Sequence, residues 1–203
     1  MSFIKRLIAT LAVTGALLAP VVAQTFTPKH QAVVKLDTDI GHGTAVHIGQ
    51  GVFLTAAHVL EGATEVYVKI EDTTYDAKVL QADKATDVAF IRIDALRSQA
   101  ASKTLECRTP TVGEPVEAHG YPLDLEDVRT FGRVSTIMRP HGFWRDAVIV
   151  DITIAPGMSG GPVYSSKGNV IGMAVGVKQF GGALVPLSVI VPGSTICAVL
   201  AQV

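Results

Sequence analysis

Residues 155–163 read APGMSGGPV and place Ser159 among three glycines and between two prolines. Glycine allows turns and close backbone approaches that a side chain forbids. A catalytic serine requires such surroundings, because its hydroxyl must be exposed and nearby N–H groups must face the oxyanion that forms on attack. The N–H groups of Gly157 and Ser159 are the candidate donors. Taken alone, the stretch is equally consistent with a tight surface turn.

Two upstream segments supply the partners that a serine nucleophile needs. TAAHV contains His58, and TDVAFI contains Asp87. Alone, His58 could be a core histidine, and Asp87 could bond local N–H groups at the start of a strand. Asp83 and Asp94 are rival acids, but the apolar strand directly after Asp87 favours Asp87. The chain order His, Asp, Ser is one of the orders in which catalytic triads occur.

Together the three segments resemble the trypsin/chymotrypsin-like serine peptidases, and most closely the bacterial HtrA-type protease domains. Those carry similar T-x-x-H-V, D-[IVL]-A and G-N-S-G-G-P motifs. The resemblance covers residues 41–186, and HGYP, GRVS and GMAV match further parts of the HtrA-type pattern. It implies that Ser159 is the nucleophile, that His58 is its general base and that Asp87 orients the imidazole. No PDZ domain is expected after residue 186.

Short alternating apolar and polar segments separated by glycine turns predict an all-β chain. We expect six strands in residues 31–94 and six in residues 113–203, joined by a linker at residues 95–112. Residues 192–203 predict a short C-terminal helix. With the resemblance, this implies a chymotrypsin-like fold of two six-stranded antiparallel β-barrels, with the site in the cleft between them.

The resemblance also implies where a substrate would bind. Family pockets are shaped by residues just before the nucleophile and by a later strand that adds to an extended substrate. The predicted pocket and substrate strand comprise Thr153, Ile154, Val175, Gly176 and Val177. Enzymes selective for basic residues have an aspartate six positions before the nucleophile, where this chain has Thr153. We therefore expect cleavage after small to medium apolar residues.

Met158 is a departure from the family pattern. Zymogen-type enzymes have an aspartate before the nucleophile, which pairs with a newly cut N-terminus, and HtrA-type domains usually have an asparagine. Methionine cannot form that pair, so activation by propeptide cleavage is not expected. Two interpretations of Met158 remain: an altered oxyanion hole, or an apolar residue that packs under the turn.

The N-terminus has the pattern of a secretory signal peptide. Lys5 and Arg6 precede an apolar region, and VVA at residues 21–23 offers a cleavage site. We predict a signal peptide at residues 1–23, a peptidase domain at 24–203, and a periplasmic or secreted protein. The alternative is an uncleaved anchor, but residue 20 is a proline within a stretch at the short limit for a membrane span.

The two cysteines, Cys107 and Cys197, fall in the linker and the C-terminal helix. An exported protein meets an oxidising compartment, so a disulfide is allowed. Some trypsin-like enzymes join these two regions in this way, which favours a bond over two buried free thiols.

Composition limits the remaining classes. The chain has 203 residues, of which 48% are hydrophobic and 17% charged, with a net charge of -1. This indicates a globular protein and argues against nucleic-acid binding, which usually shows a basic patch. His42 and His47 lie five positions apart in a strand and so on opposite faces. We expect no metal and no cofactor.

The leading hypothesis is an exported serine endopeptidase that cleaves protein or peptide substrates through an acyl-enzyme. The alternatives are a catalytically idle protease fold used for binding and an esterase-like hydrolase with the same triad. With His58 as the base, activity should rise with pH near about 6.5.

Overall fold

A computed structural model describes residues 31–70, 72–97, 101–123, 125–142, 144–180 and 183–203. The predicted signal peptide lies outside the described residues. None of the described helices is long and apolar enough to span a membrane.

The first sheet has seven strands, which pair antiparallel in the order β5-β4-β1-β2-β3-β7-β6. These strands are β1 (Val33–Thr38), β2 (Gly41–Gly49), β3 (Val52–Ala56), β4 (Val66–Ile70), β5 (Thr73–Asp76), β6 (Lys78–Asp83) and β7 (Val88–Arg92). A turn at Gly49, Gln50 and Gly51 joins β2 to β3, and all three residues have positive φ. A short helix, α1 (Ala57–Leu60), follows β3 directly and carries His58.

The second sheet also has seven antiparallel strands, in the order β10-β11-β14-β13-β12-β8-β9. These strands are β8 (Pro115–Gly120), β9 (Val128–Arg133), β10 (Arg139–His141), β11 (Trp144–Val150), β12 (Pro162–Tyr164), β13 (Val170–Phe180) and β14 (Ala183–Pro192). The chain then enters the C-terminal helix α2 (Gly193–Leu200).

The predicted fold class is confirmed: two curled antiparallel sheets and one short C-terminal helix. Each sheet has seven strands where six were expected. In the first sheet, residues 73–83 form two strands, β5 and β6, with Ala77 between them. In the second sheet the additional strand is β10, three residues long.

Three apolar clusters form the core. One lies within each sheet, and the third joins the sheets, because it includes Leu54 and Phe90 from the first together with Val175 and Val189 from the second. The segment between the sheets is attached to α2 by a disulfide between Cys107 and Cys197, whose Cα atoms are 5.5 Å apart. Shared apolar packing therefore fixes how the sheets meet, and the disulfide holds the intervening segment against α2.

Candidate active site

Asp87 and His58 form a tightly bonded pair at one end of the first sheet. The Nδ1 atom of His58 lies 2.8 Å from Oδ2 and 3.0 Å from Oδ1 of Asp87. The backbone N–H of His58 also donates to Oδ1, at 2.9 Å. This carboxylate therefore holds both the side chain of His58 and the first turn of α1, whose N–H groups have no partner within the helix.

The backbone at Asp87 is equally constrained. Asp87 ends the turn between β6 and β7 with a φ of 60°, in the left-handed region that few residues other than glycine adopt. Its carbonyl accepts the N–H of Ala57 at 3.1 Å, and only 3% of the residue is exposed. A third donor reaches its side chain from the second sheet, because Nε1–H of Trp144 donates to Oδ2 at 3.0 Å. Three N–H donors compensate this buried carboxylate.

The two rival carboxylates have local roles instead. Asp83 accepts the N–H groups of Ala85 at 2.8 Å and Thr86 at 3.3 Å, which closes the turn before Asp87. Asp94 begins a single 3-10 turn at Asp94–Leu96. Of these three acids, the structure brings only Asp87 to His58.

The pair fixes which nitrogen of His58 can act as a base. An ionised carboxylate accepts hydrogen bonds only, so the Nδ1 atom that faces it carries the proton in the neutral ring. The free lone pair is then on Nε2. The side chain of His58 is 40% exposed, so this lone pair is accessible.

The segment that carries Ser159 connects β11 to β12 and packs against the first sheet through Thr44. The N–H of Thr44 donates to the carbonyl of Ser159 at 2.8 Å, and its hydroxyl donates to the carbonyl of Gly157 at 2.7 Å. Gly43 lies close to both Ser159 and α1. A Cβ built on Gly43 would lie 3.0 Å from the carbonyl oxygen of Ser159 and 2.7 Å from Cγ1 of Val59. Ser159 thus lies beside the turn of α1 that carries His58.

Two glycines in this segment have no room for a side chain. Gly157 has a φ of 97°, and a Cβ there would lie 2.5 Å from Nε2 of His42. Gly160 has a φ of 87°, and its Cβ would lie 2.2 Å from the Thr44 carbonyl. The glycine pattern of the sequence therefore reflects both backbone conformation and close contact with β2.

Two N–H groups of this segment are available to a ligand. Neither Gly157 N–H nor Ser159 N–H has a hydrogen-bond acceptor among the described residues. The carbonyl of Pro156 accepts Leu123 N–H at 2.9 Å. Because the carbonyl and N–H of a trans peptide point in opposite directions, this bond sets the direction of the Gly157 N–H.

The hydroxyl of Ser159 itself makes no hydrogen bond to His58 within the described part of the chain. Such bonds are often long in free enzymes and tighten when substrate binds. The structure therefore joins Asp87 to His58 directly and places Ser159 next to them through Thr44 and Gly43.

Met158 is buried in the apolar cluster of the second sheet, with 1% of its surface exposed. Its N–H donates to the Ala155 carbonyl at 3.0 Å, and its carbonyl accepts Gly161 N–H at 2.9 Å. The side chain packs under the turn as an apolar residue. Because the surroundings of the Met158 side chain are buried and apolar, an aspartate at this position would need a charged partner.

The predicted pocket residues have different environments. Ile154 and Val175 are each 3% exposed and belong to the packed apolar clusters, whereas Thr153 is exposed. Gly176 and Val177 are half-buried in β13. The pocket assignment stays a prediction. The side chains of Ile154 and Val175 lie within the packed core.

The middle of β13 offers an open edge. β12 pairs with β13 only from Val170 to Met173, and Ala174 then bonds with the backbone of Gly160 and Gly161. From Val175 onward, no described strand lies on this side of β13. An unpaired edge of this kind is where an extended peptide can add as a further strand.

Two residues of the site have no signal in the sequence motifs. Thr44 holds the segment of Ser159 through its hydrogen bond to the Gly157 carbonyl. Trp144 donates to Asp87, which lies 57 positions away along the chain. Their hydrogen bonds depend on how two sheets meet, which local patterns do not encode. Among the described residues, no group of three or more histidine, cysteine or acidic side chains is arranged to hold a metal ion.

Comparison with known proteins gives consistent matches. The family described as trypsin-like peptidase domain matches residues 43–173. Protease Do-like 1, chloroplastic, from Arabidopsis thaliana is 32% identical over 161 residues, which cover 75% of this chain and 37% of that protein. A probable periplasmic serine endoprotease DegP-like from Halomonas elongata is 35% identical over 146 residues, covering 70% and 30%. The chain spans about a third of the length of these curated relatives.

Solved structures show the same architecture. The HtrA-type protease AlgW with a tripeptide is 27% identical with a TM-score of 0.75, over 84% of this chain and 59% of that chain. The Rv3671c protease in its inactive form has a TM-score of 0.74 over 86% and 89%. At 23% identity this second likeness concerns the fold alone.

Proposed function

Because the chain belongs to the trypsin-like peptidase domain family, we propose that it is a serine endopeptidase that uses Ser159, His58 and Asp87. The observation that carries the proposal is the hydrogen-bonded pair of His58 and the buried Asp87, beside a serine whose segment presents two unpartnered N–H groups. A Ser-His-Asp triad carries out acyl transfer with these parts in this arrangement.

Acylation is the first half of the reaction. The hydroxyl oxygen of Ser159 attacks the carbonyl carbon of the scissile peptide, and its proton passes to Nε2 of His58. Asp87 stabilises the imidazolium that forms. The N–H groups of Gly157 and Ser159 bind the oxyanion. The C–N bond then breaks as His58 gives the proton to the leaving amine, which leaves an ester on Ser159.

Deacylation repeats the sequence with water. His58 takes a proton from the water molecule, whose oxygen attacks the ester carbonyl in the same oxyanion site. The C–O bond to Ser159 breaks, and the proton returns to the serine oxygen. The product is a free carboxyl group, and the enzyme regains its starting state.

We propose that substrates bind as an extended strand on β13. The support is the open edge from Val175 onward, together with solved structures of the HtrA-type protease AlgW with bound peptides. Thr153 in place of an aspartate supports a preference for small to medium apolar residues before the cleaved bond.

Export to the periplasm is part of the proposal. Several relatives are named as probable periplasmic serine endoproteases, and residues 1–23 have the pattern of a signal peptide. Expression of the whole chain with a periplasmic fractionation assay tests this. A protein found only in the cytoplasm with residues 1–23 retained would contradict it.

Covalent labelling by a fluorophosphonate tests the chemistry without knowledge of the substrate. We expect the wild type to gain one adduct, located on Ser159 by peptide mass spectrometry, and Ser159→Ala to gain none. A folded wild type that resists labelling would contradict the proposal and support an idle protease fold. In that case Met158→Asn tests whether the methionine is the cause. Cleavage of a casein substrate by the wild type then separates a peptidase from an esterase-like hydrolase.

A further inference from the structure

We propose that Trp144 is a positioning residue for the Asp87–His58 pair, supplied by the second sheet to a pair that the first sheet holds. The role rests on the proposed function, because it concerns the same site. Trp144 begins β11, whereas Asp87 and His58 come from the turn before β7 and from α1.

Trp144 donates its hydrogen bond to the carboxylate oxygen of Asp87 that lies nearer to Nδ1 of His58. Oδ2 of Asp87 lies 2.8 Å from Nδ1 of His58 and accepts Nε1–H of Trp144 at 3.0 Å. The other oxygen accepts the backbone N–H of His58 at 2.9 Å. Each carboxylate oxygen is therefore anchored by a group other than the imidazole ring. Without the indole N–H, Oδ2 would have only the ring that it is supposed to orient.

The indole is held in this position by the strand on which substrate is proposed to lie. A Cβ built on Gly176 would lie 2.5 Å from Cη2 and 2.8 Å from Cζ2 of Trp144. The ring therefore occupies the space that any other residue at position 176 would need. The pairing of β13 with β14 shifts register between Ala174 and Gly176, at the same point.

These contacts make one side chain touch both the acid of the site and the proposed substrate strand. An indole donates and does not accept, so it holds the carboxylate without competing for the proton on Nδ1. The orientation of His58 thus depends on correct docking of the second sheet against the first.

The test compares three variants of the full chain by the kinetics of fluorophosphonate labelling. Trp144→Phe keeps an aromatic ring against Gly176 but removes the N–H. We expect its maximal labelling rate to fall about tenfold, because the lost bond is to a charged group, while the half-saturating concentration changes less than about twofold. Gly176→Ala keeps the N–H but displaces the ring, and both parameters should worsen.

Tyr164→Phe is the matched control. It removes a buried hydroxyl that has no hydrogen-bond partner among the described residues, so labelling should match the wild type. A Trp144→Phe protein that is labelled at the wild-type rate overturns the proposal. If Trp144→Phe does not fold, normal labelling of Gly176→Ala overturns it equally.

A proton resonance separates this role from the proposed function. The Nδ1–H of His58 should give a far-downfield signal in the wild type and in Tyr164→Phe, and that signal should broaden or move upfield in Trp144→Phe. An unchanged signal overturns the positioning role. Failure of the wild type to label would count against the proposed function alone, because the resonance does not depend on turnover.

Discussion

Single residues carry the proposed chemistry of this site, and they differ in how readily the sequence reveals them. His58, Asp87 and Ser159 each lie in a local motif, so the sequence alone proposes them. Thr44 lies in a strand where a buried threonine is unremarkable, yet its side chain joins Gly157 to the backbone N–H of Tyr121. Such a role depends on two distant segments meeting, and no local pattern predicts it.

Thr44→Val should weaken both the fold and the site. Valine has the shape of threonine but leaves the Gly157 carbonyl and the Tyr121 N–H without their partner. The loss should lower the free energy of unfolding by roughly 1–3 kcal/mol. Fluorophosphonate labelling should also slow, because the Gly157 peptide is no longer held. Urea denaturation and labelling kinetics measure the two effects.

Thr130→Val is the control for that substitution. The hydroxyl of Thr130 is also buried, but it has no hydrogen-bond partner among the described residues. Its removal should change neither stability nor labelling. Equal behaviour of the two valine variants would contradict the role of Thr44.

Among the elements, the sequence predicts long strands better than short ones. The glycines on either side of Gln50 mark the turn between β2 and β3, and both strands are present in the structure. β10 has three residues and includes Pro140, which lacks the N–H that a strand donates, so its pattern is weak. The division between β5 and β6 at Ala77 does not interrupt the apolar pattern, so the sequence does not reveal it.

Ion pairs as well as the disulfide stabilise the segment between the sheets. Arg108 donates to Glu106 at 2.7 Å and to Glu114 at 2.9 and 2.5 Å. These bonds hold the pKa of the Glu114 carboxyl below its ordinary value of 4.5. Hydrogen bonds from Asn169 and from Arg108 lower the pKa of Glu106 in the same way.

Acid pH should therefore lower the contribution of this segment to the stability of the fold. A lowered pKa in the folded state means that Glu114 stabilises the fold above pH 4.5, and that this contribution is lost as pH falls through the lowered value. Glu114→Gln cannot titrate, so its urea midpoint should fall less than that of the wild type between about pH 6 and pH 3. Parallel loss of stability in both proteins would argue against this bond as an acid-sensitive contact.

At the scale of the whole molecule, the resemblance to HtrA-type domains is confirmed by the comparisons, and so is the fold class that it implied. What the sequence could not provide is the contact between the sheets. That contact consists of the third apolar cluster and the hydrogen bonds of Thr44 and Trp144. The proposed boundaries of the lobes stay a prediction.

Removal of the disulfide should lower stability without altering the site. The bond joins residues 90 positions apart, and a loop of that length corresponds to roughly 4–5 kcal/mol of denatured-state entropy. Cys107→Ser combined with Cys197→Ser should lose a substantial part of this in chemical denaturation. Labelling of the folded fraction at low temperature should match the wild type. A stability equal to that of the wild type would show that the bond adds little to the packing.

The indole that bonds to Asp87 is also the chain's single tryptophan. When only tryptophan is excited, all fluorescence emission therefore comes from the indole ring of Trp144, whose N–H donates a hydrogen bond to Asp87. A peptide that settles on β13 should shift the same emission. The emission of Trp144 is thus a built-in optical reporter of the Asp87–His58 pair, and it needs no added dye.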